Sequence, residues 1–183
     1  MDKDNIWDRL EEDLLKQRVL FIEGDFDEES INILKRELMY CMVHKPRTPV
    51  TLYISSYGGD PYDLLSIYGL LEQKQFDLTT VAMGKCMSAG ADMLMLGDFR
   101  MALPGARIMM HEIAWESSYA KLHDQEIEIK ESRKLQEFFD NIIKEKTKIK
   151  DIAAFMKIDH YLDANEAYKL GILTEKPKIK IKK

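Results

Sequence analysis

Cysteine and long apolar runs are scarce in this sequence, and acidic residues outnumber Lys and Arg by 32 to 27. The two cysteines, Cys41 and Cys86, lack a metal-binding spacing, which argues against a zinc site or a disulfide framework. The formal net charge of -5 argues against the basic face of a nucleic-acid-binding domain. No apolar run approaches the roughly 20 residues that cross a bilayer, and the polar residues 1–5 lack a signal-peptide core. We therefore expect a cytoplasmic protein with no metal, nucleic-acid or membrane partner.

Strand-like and helix-like segments alternate along the chain, which predicts a right-handed α/β fold with parallel strands. The strands are predicted over 18–22, 50–55, 78–83, 100–103, 107–110 and, last, at Ile172–Leu173. Helices are expected to begin after the capping residues Asp27, Asp60 and Asp163. A length of 183 residues suits one domain, which we place over 18–175. Residues 1–17 form an amphipathic N-terminal segment in this prediction, and residues 176–183 form a Lys-rich tail.

Three of the predicted strands end in residues that suit a functional site. Gly58 and Gly59 follow the second strand, Ser88 follows the third, and His111 follows the strand over 107–110. Ligands of open α/β folds bind at the carboxyl edge of the sheet, so we expect these residues along one rim.

A serine, a histidine and a glycine pair on one rim suit nucleophilic catalysis. His111 would take the proton of Ser88, and a carboxylate would orient the imidazole. Gly58 and Gly59 would let the backbone approach a substrate and direct N–H groups at an oxyanion. The simpler interpretation is that Ser88 caps a helix, His111 bonds the backbone and the glycines form an ordinary turn. The residues alone leave the carboxylate open among four candidates, which are Asp60, Glu112, Asp124 and Asp159.

Four motifs in order resemble those of the proteolytic subunits of the Clp protease family (ClpP), serine peptidases with the crotonase-like spiral fold. They are Tyr-Ile-Ser-Ser-Tyr-Gly-Gly at 53–59, Gly-Lys-Cys-Met-Ser-Ala-Gly-Ala at 84–91, Leu-Pro-Gly-Ala-Arg-Ile-Met-Met-His at 103–111 and Asp-His-Tyr-Leu-Asp-Ala-Asn-Glu-Ala at 159–167. The resemblance implies that Ser88 is the nucleophile, His111 the general base and Asp159 the third member of the triad. It assigns the oxyanion hole to the backbone N–H groups of Gly59 and Ala89, and it implies no cofactor.

The same resemblance implies an assembly built from a spiral of β-α units with a protruding helical handle. Family members form seven-membered rings that stack in pairs through the handle and enclose a proteolytic chamber. The helix predicted over 125–146 would be that handle. The substrates implied are unfolded proteins or peptides, and the partner implied is an AAA+ unfoldase, although the N-terminus is short for the axial loops that engage it.

The sequence departs from the family pattern at two further places. Residues 115–118 replace a Gly-Gly pair that aligns the substrate, and Trp115 there either lines the substrate site or fills a subunit interface. Lys157-Ile158 replaces an acidic residue and an arginine that pair across the ring. Two alternatives stand beside an active peptidase, the first suggested by these departures and the second by the shared spiral fold. One is a non-catalytic or latent ring subunit that pairs with an active paralogue, and the other is a crotonase-like acyl-thioester enzyme.

Overall fold

The computed structural model describes residues 6–114 and 121–176, so Trp115, the rest of 115–118, residues 1–5 and all but Lys176 of the Lys-rich tail lie outside the described residues. The strands are β1 (Val19–Phe26), β2 (Val50–Gly59), β3 (Leu78–Met87), β4 (Phe99–Ala102), β5 (Arg107–Met110) and β6 (His160–Leu162). The helices are α1 (Ile6–Lys16), α2 (Glu28–Val43), α3 (Pro61–Leu71), α4 (Ala89–Met95), α5 (Leu122–Lys146), α6 (Ile152–Met156) and α7 (Ala164–Leu170). The predicted α/β class built from β-α units is confirmed.

A bend in β3 determines where the carboxyl ends of the strands lie. The sheet order is β1-β2-β3-β5-β6, with β4 beside the first half of β3. The strand pairs with β4 through residues 79–82 and with β5 through residues 85–87. Between the two pairings lies Gly84, whose φ of +69° is left-handed and favours glycine. As a result, β3 and β5 end side by side.

Helix α4 is the most deeply buried of the helices around this edge. The residues Ala91, Met93, Leu94 and Met95 are fully buried, and the helix packs on both β2 and β3. Its first turn is made of small residues because the backbone of β2 runs close by. A Cβ added to Gly90 would lie 3.2 Å from the carbonyl oxygen of Ser56. The small residues therefore seat the start of α4 directly against the sheet edge.

The end of the chain differs from the prediction. Ile172 and Leu173 do not form a strand; they are buried in the core, and both N–H groups donate to the carbonyl oxygen of Ala167. Gly171, with a φ of +79°, ends α7 and turns the chain back onto that helix. Among residues 6–114 and 121–176, the last strand is instead β6, which pairs antiparallel with β5, so the expectation of parallel strands fails at this edge.

Helix α5 is longer than predicted and begins at Leu122. Its 25 residues span about 37 Å. The second half buries Leu135, Phe139 and Ile143 in the core, whereas Ile127 and Ile129 in the first half are more than half exposed. The first half therefore protrudes from the core, as predicted for a handle. None of the helices within the described residues has the length and apolarity required to span a bilayer.

Candidate active site

Ser88 lies in the turn between β3 and α4 and is held by its backbone. Its N–H donates to the carbonyl oxygen of Met109 at 2.9 Å, and its carbonyl accepts from Ala91 at 2.8 Å. Its φ of +52° is unusual for a residue other than glycine. The side chain makes no capping hydrogen bond to α4, so the interpretation of Ser88 as a simple helix cap is wrong.

The hydroxyl of Ser88 instead faces the ring of His111. The distance from Ser88 Oγ to His111 Nε2 is 2.8 Å, and the histidine side chain is mostly buried. The pairing of Met87 with Met109 explains this contact, since Ser88 and His111 follow the paired ends of β3 and β5. When Nδ1 carries the ring proton, Nε2 accepts a hydrogen bond from the hydroxyl.

Asp159 is the carboxylate that the structure brings to the other side of the ring. Its Oδ1 lies 3.7 Å from His111 Nδ1, which is an ion-pair distance and is longer than a hydrogen bond. The pairing of Met110 with His160 places Asp159 there. The side chain of Asp159 is 57% exposed, so the carboxylate is weakly constrained.

Within the described residues, the other three carboxylate candidates form no ion pair or hydrogen bond with His111. Asp60 caps α3 by accepting from the N–H of Tyr62 at 2.7 Å. Asp124 lies exposed in the first turn of α5. Glu112 acts electrostatically on Asp140 of α5, whose pKa is raised mainly by burial and further by that neighbouring charge.

The two glycines at the end of β2 allow close backbone approach on both sides, to the Ser88 turn at Gly58 and to β1 at Gly59. A Cβ on Gly58 would lie 2.8 Å from Ser88 Cβ and 2.8 Å from the nitrogen of Ala89, and Gly58 has a φ of +102°. Its N–H donates to Ser56 Oγ at 2.9 Å, so that donor is already used. On the other side, a Cβ on Gly59 would collide with the backbone of Phe26. The absence of a side chain at Gly58 therefore lets the backbone of β2 pack against the Ser88 turn.

A small cavity of about 70 Å³ joins these elements. Gly59 and Ala89 line it beside Ser88 and His111. Ala89 is the first residue of α4, where N–H groups have no partner inside the helix. The described part of the site therefore brings Ser88, His111, Gly59 and Ala89 together around one space. Asp92, one turn after Ser88 on α4, also lines this cavity and was not predicted from the sequence.

Comparison with known proteins shows the family of this chain. The family model for the Clp protease matches residues 2–176. This chain belongs to the Clp protease family. It is 30% identical over 167 residues to ATP-dependent Clp protease proteolytic subunit 1 of Rhodococcus jostii, covering 88% of this chain and 76% of that protein. It is 28% identical over 166 residues to the protein of the same name from Bifidobacterium longum, covering 88% of this chain and 71% of that protein.

Family membership confirms the resemblance drawn from the four motifs and identifies the chain as a Clp-type peptidase.

A cysteine lies two residues before Ser88, but its thiol is inaccessible. Cys86 is fully buried, its thiol donates to the carbonyl oxygen of Gly90 at 3.2 Å, and burial raises its pKa. Within residues 6–114 and 121–176, no cluster of histidine, cysteine or carboxylate side chains forms a metal site.

Proposed function

We propose that this Clp protease family chain is a serine endopeptidase that cleaves unfolded polypeptides or peptides through Ser88, His111 and Asp159. The observation that carries the proposal is the 2.8 Å contact between Ser88 Oγ and His111 Nε2. A serine paired with a histidine at this distance, at the end of a buried strand and the start of a helix, is arranged for nucleophilic attack.

Each step of hydrolysis has a residue to perform it. His111 Nε2 takes the Ser88 proton as Oγ bonds to the substrate carbonyl carbon, and the resulting oxyanion faces the N–H groups of Gly59 and Ala89. His111 then protonates the leaving amine as the C–N bond breaks, which leaves an acyl-enzyme on Ser88. Water, deprotonated by His111, hydrolyses this ester and the proton returns to Oγ.

Asp159 would hold the imidazole in the tautomer that this sequence needs. From the 3.7 Å separation, its carboxylate has to approach the ring by about 0.5–1 Å to accept the Nδ1 proton. The exposure of Asp159 allows this movement. Removing the carboxylate should therefore lower kcat more than it raises KM, because its effect is largest when the ring is charged.

We further propose that residues 18–175 form the peptidase domain of a homo-oligomeric ring, with rings stacked through α5. The exposed apolar residues Leu122, Ile127 and Ile129 on the protruding half of α5 support an interface there, because a solvated helix would rarely carry them together. An AAA+ unfoldase would feed unfolded chains into the chamber, and no cofactor takes part in the hydrolysis.

A latent ring subunit is a second candidate that one observation favours. The gap between His111 and Asp159 exceeds hydrogen-bond length, so the triad is incomplete in the single protomer. A latent subunit would be inactive as a homo-oligomer and would gain activity only when mixed with an active paralogue.

The test is hydrolysis of a fluorogenic peptide and of unfolded casein by the assembled protein. Ser88→Ala should lose at least about 1,000-fold in kcat. Ser66→Ala is the matched control, because that exposed hydroxyl bonds the carbonyl oxygen of Asp63 on α3. Activity retained by Ser88→Ala would overturn the proposal. An inactive wild type that becomes active with a paralogue would favour the latent subunit.

A further inference from the structure

Asp92 is an acidic residue in an otherwise apolar helix beside Ser88. It lies one turn into α4, and its N–H donates to the carbonyl oxygen of Ser88 at 3.1 Å. The other residues of α4 are apolar and buried. Asp92 lines the cavity that also contains Ser88 and His111. Asp92 is half-buried, so its carboxylate loses part of its hydration among these apolar residues and gains from a bound partner.

No group in the described part of the chain neutralises this carboxylate. No Lys, Arg or His side chain there forms an ion pair with Asp92, and no hydrogen bond reaches its carboxyl group. Within the described residues, the charge that acts on it is that of another acid, Asp140 of α5, which itself accepts from Gln136 Nε2 at 2.7 Å. Burial, followed by the charge of Asp140, raises the pKa of Asp92 to about 7. A cation bound beside the carboxyl group would lower this pKa and keep the group ionised.

The walls around Asp92 suit the stem of a long basic side chain. Leu64, Ile113 and Phe139 line the same cavity and offer only hydrocarbon. Lysine and arginine place methylene groups against apolar surface while the charged end reaches a polar partner. The cavity also borders the expected oxyanion donors, Gly59 and Ala89. A side chain that enters it therefore belongs to a residue next to the scissile bond.

We propose that Asp92 gives this peptidase a preference for lysine or arginine at the acyl-side residue, the one whose carbonyl carbon Ser88 attacks. The inference rests on the proposed function. Asp92 acts as a specificity residue: it binds the substrate cation and takes no part in the chemical step. Hydrogen-bonded charge partners in such sites discriminate by about 10- to 100-fold.

Two peptides that differ only at the acyl-side residue test the preference. One carries lysine and the other norleucine, which has the same unbranched stem without the charge. The assembled wild type should hydrolyse the lysine peptide with a kcat/KM at least about 10-fold higher. Asp92→Asn should remove most of this difference by lowering kcat/KM for the lysine peptide, since the amide keeps the shape of the side chain and loses its charge. Asp124→Asn, which removes an exposed carboxylate on α5, should keep the wild-type preference.

Labelling by peptidyl diphenyl phosphonates provides a second measurement that needs only the wild type. The lysine phosphonate should modify Ser88 at least about 10-fold faster than the norleucine phosphonate. Equal rates for the two peptides and the two phosphonates, with Ser88 reactive, would overturn the basic preference alone. An unchanged lysine preference in Asp92→Asn would also overturn it. A wild type that cleaves neither peptide and whose Ser88 reacts with neither phosphonate would overturn the proposed function, and this inference with it.

Discussion

Ser88 occupies a backbone conformation that favours glycine, so replacing it with glycine should give a more stable fold than replacing it with alanine, while both changes abolish hydrolysis. Its φ is +52° and its ψ is -128°. Holding a residue other than glycine in such a region costs about 1–3 kcal/mol. Glycine in place of alanine costs about 0.5–1 kcal/mol through the entropy of the unfolded chain. The balance predicts that Ser88→Gly is more stable than Ser88→Ala by about 1 kcal/mol.

Thermal unfolding of the two variants measures this difference, since both lack the hydroxyl and differ only by a methyl group. For a chain of this length, 1 kcal/mol corresponds to about 2–4 °C in Tm. The protein concentration must be equal, because assembly adds stability. The control pair is Ser132→Gly and Ser132→Ala inside α5, where glycine should be the less stable by about 1 kcal/mol. A Ser88→Gly variant no more stable than Ser88→Ala would refute the strain argument.

Three further changes test the packing around the site and the core. Gly58→Ala should lower kcat/KM at least about 100-fold, because its Cβ would displace the Ser88 turn, and near wild-type hydrolysis would contradict the close approach. Glu37 of α2 has a buried, unpaired Oε2 within the described residues, and burial, followed by the charge of Glu11, raises its pKa to about 7. The folded state therefore binds the proton more tightly than the unfolded state, and stability falls as the pH rises from about 4.5 through 7. Glu37→Gln should remove this pH dependence and be about 1–2 kcal/mol more stable than the wild type at pH 8, a value that allows for solvent screening of this partly exposed group. Urea midpoints of the variant and the wild type that change in parallel from pH 5 to 8 would contradict this prediction. Arg100 donates hydrogen bonds to the carbonyl oxygens of Gly97, Lys146, Gly171 and Ile172. Arg100→Lys should lower the free energy of unfolding, measured in urea, by about 2–4 kcal/mol. A loss below about 1 kcal/mol would show that lysine replaces these hydrogen bonds.

Local signals in the sequence predicted most of the fold, and the failures have a structural reason. Asp27 and Asp163 cap their helices as expected, with Ser30 and Glu166 completing the capping boxes. Ile172 and Leu173 look like a strand because they are apolar, yet the left-handed Gly171 folds them against α7. The three-residue β6 was missed because its antiparallel pairing with β5 depends on distant contacts that no local pattern encodes.

In the candidate site too, local signals predicted some residues, while others depend on distant contacts. Strand ends are local features, so the approach of Ser88 to His111 could be expected from the order of the motifs. The choice of Asp159 could not be made from the residues alone, because it depends on β6. Asp92 was missed because a single acid in a short apolar helix suggests only a small interruption of the core. Its position on the cavity becomes visible once β2, α4 and α5 are packed together.

The most direct test of the central claim is the intact mass of the assembled protein after exposure to a fluorophosphonate. An activated serine forms one covalent adduct, whereas ordinary serine hydroxyls do not react. The wild type and Ser66→Ala should each gain one adduct, mapped to Ser88 by peptide mass analysis, and Ser88→Ala should gain none. An adduct that persists in Ser88→Ala, or a fully assembled wild type that never reacts, would contradict the account of Ser88 as the nucleophile.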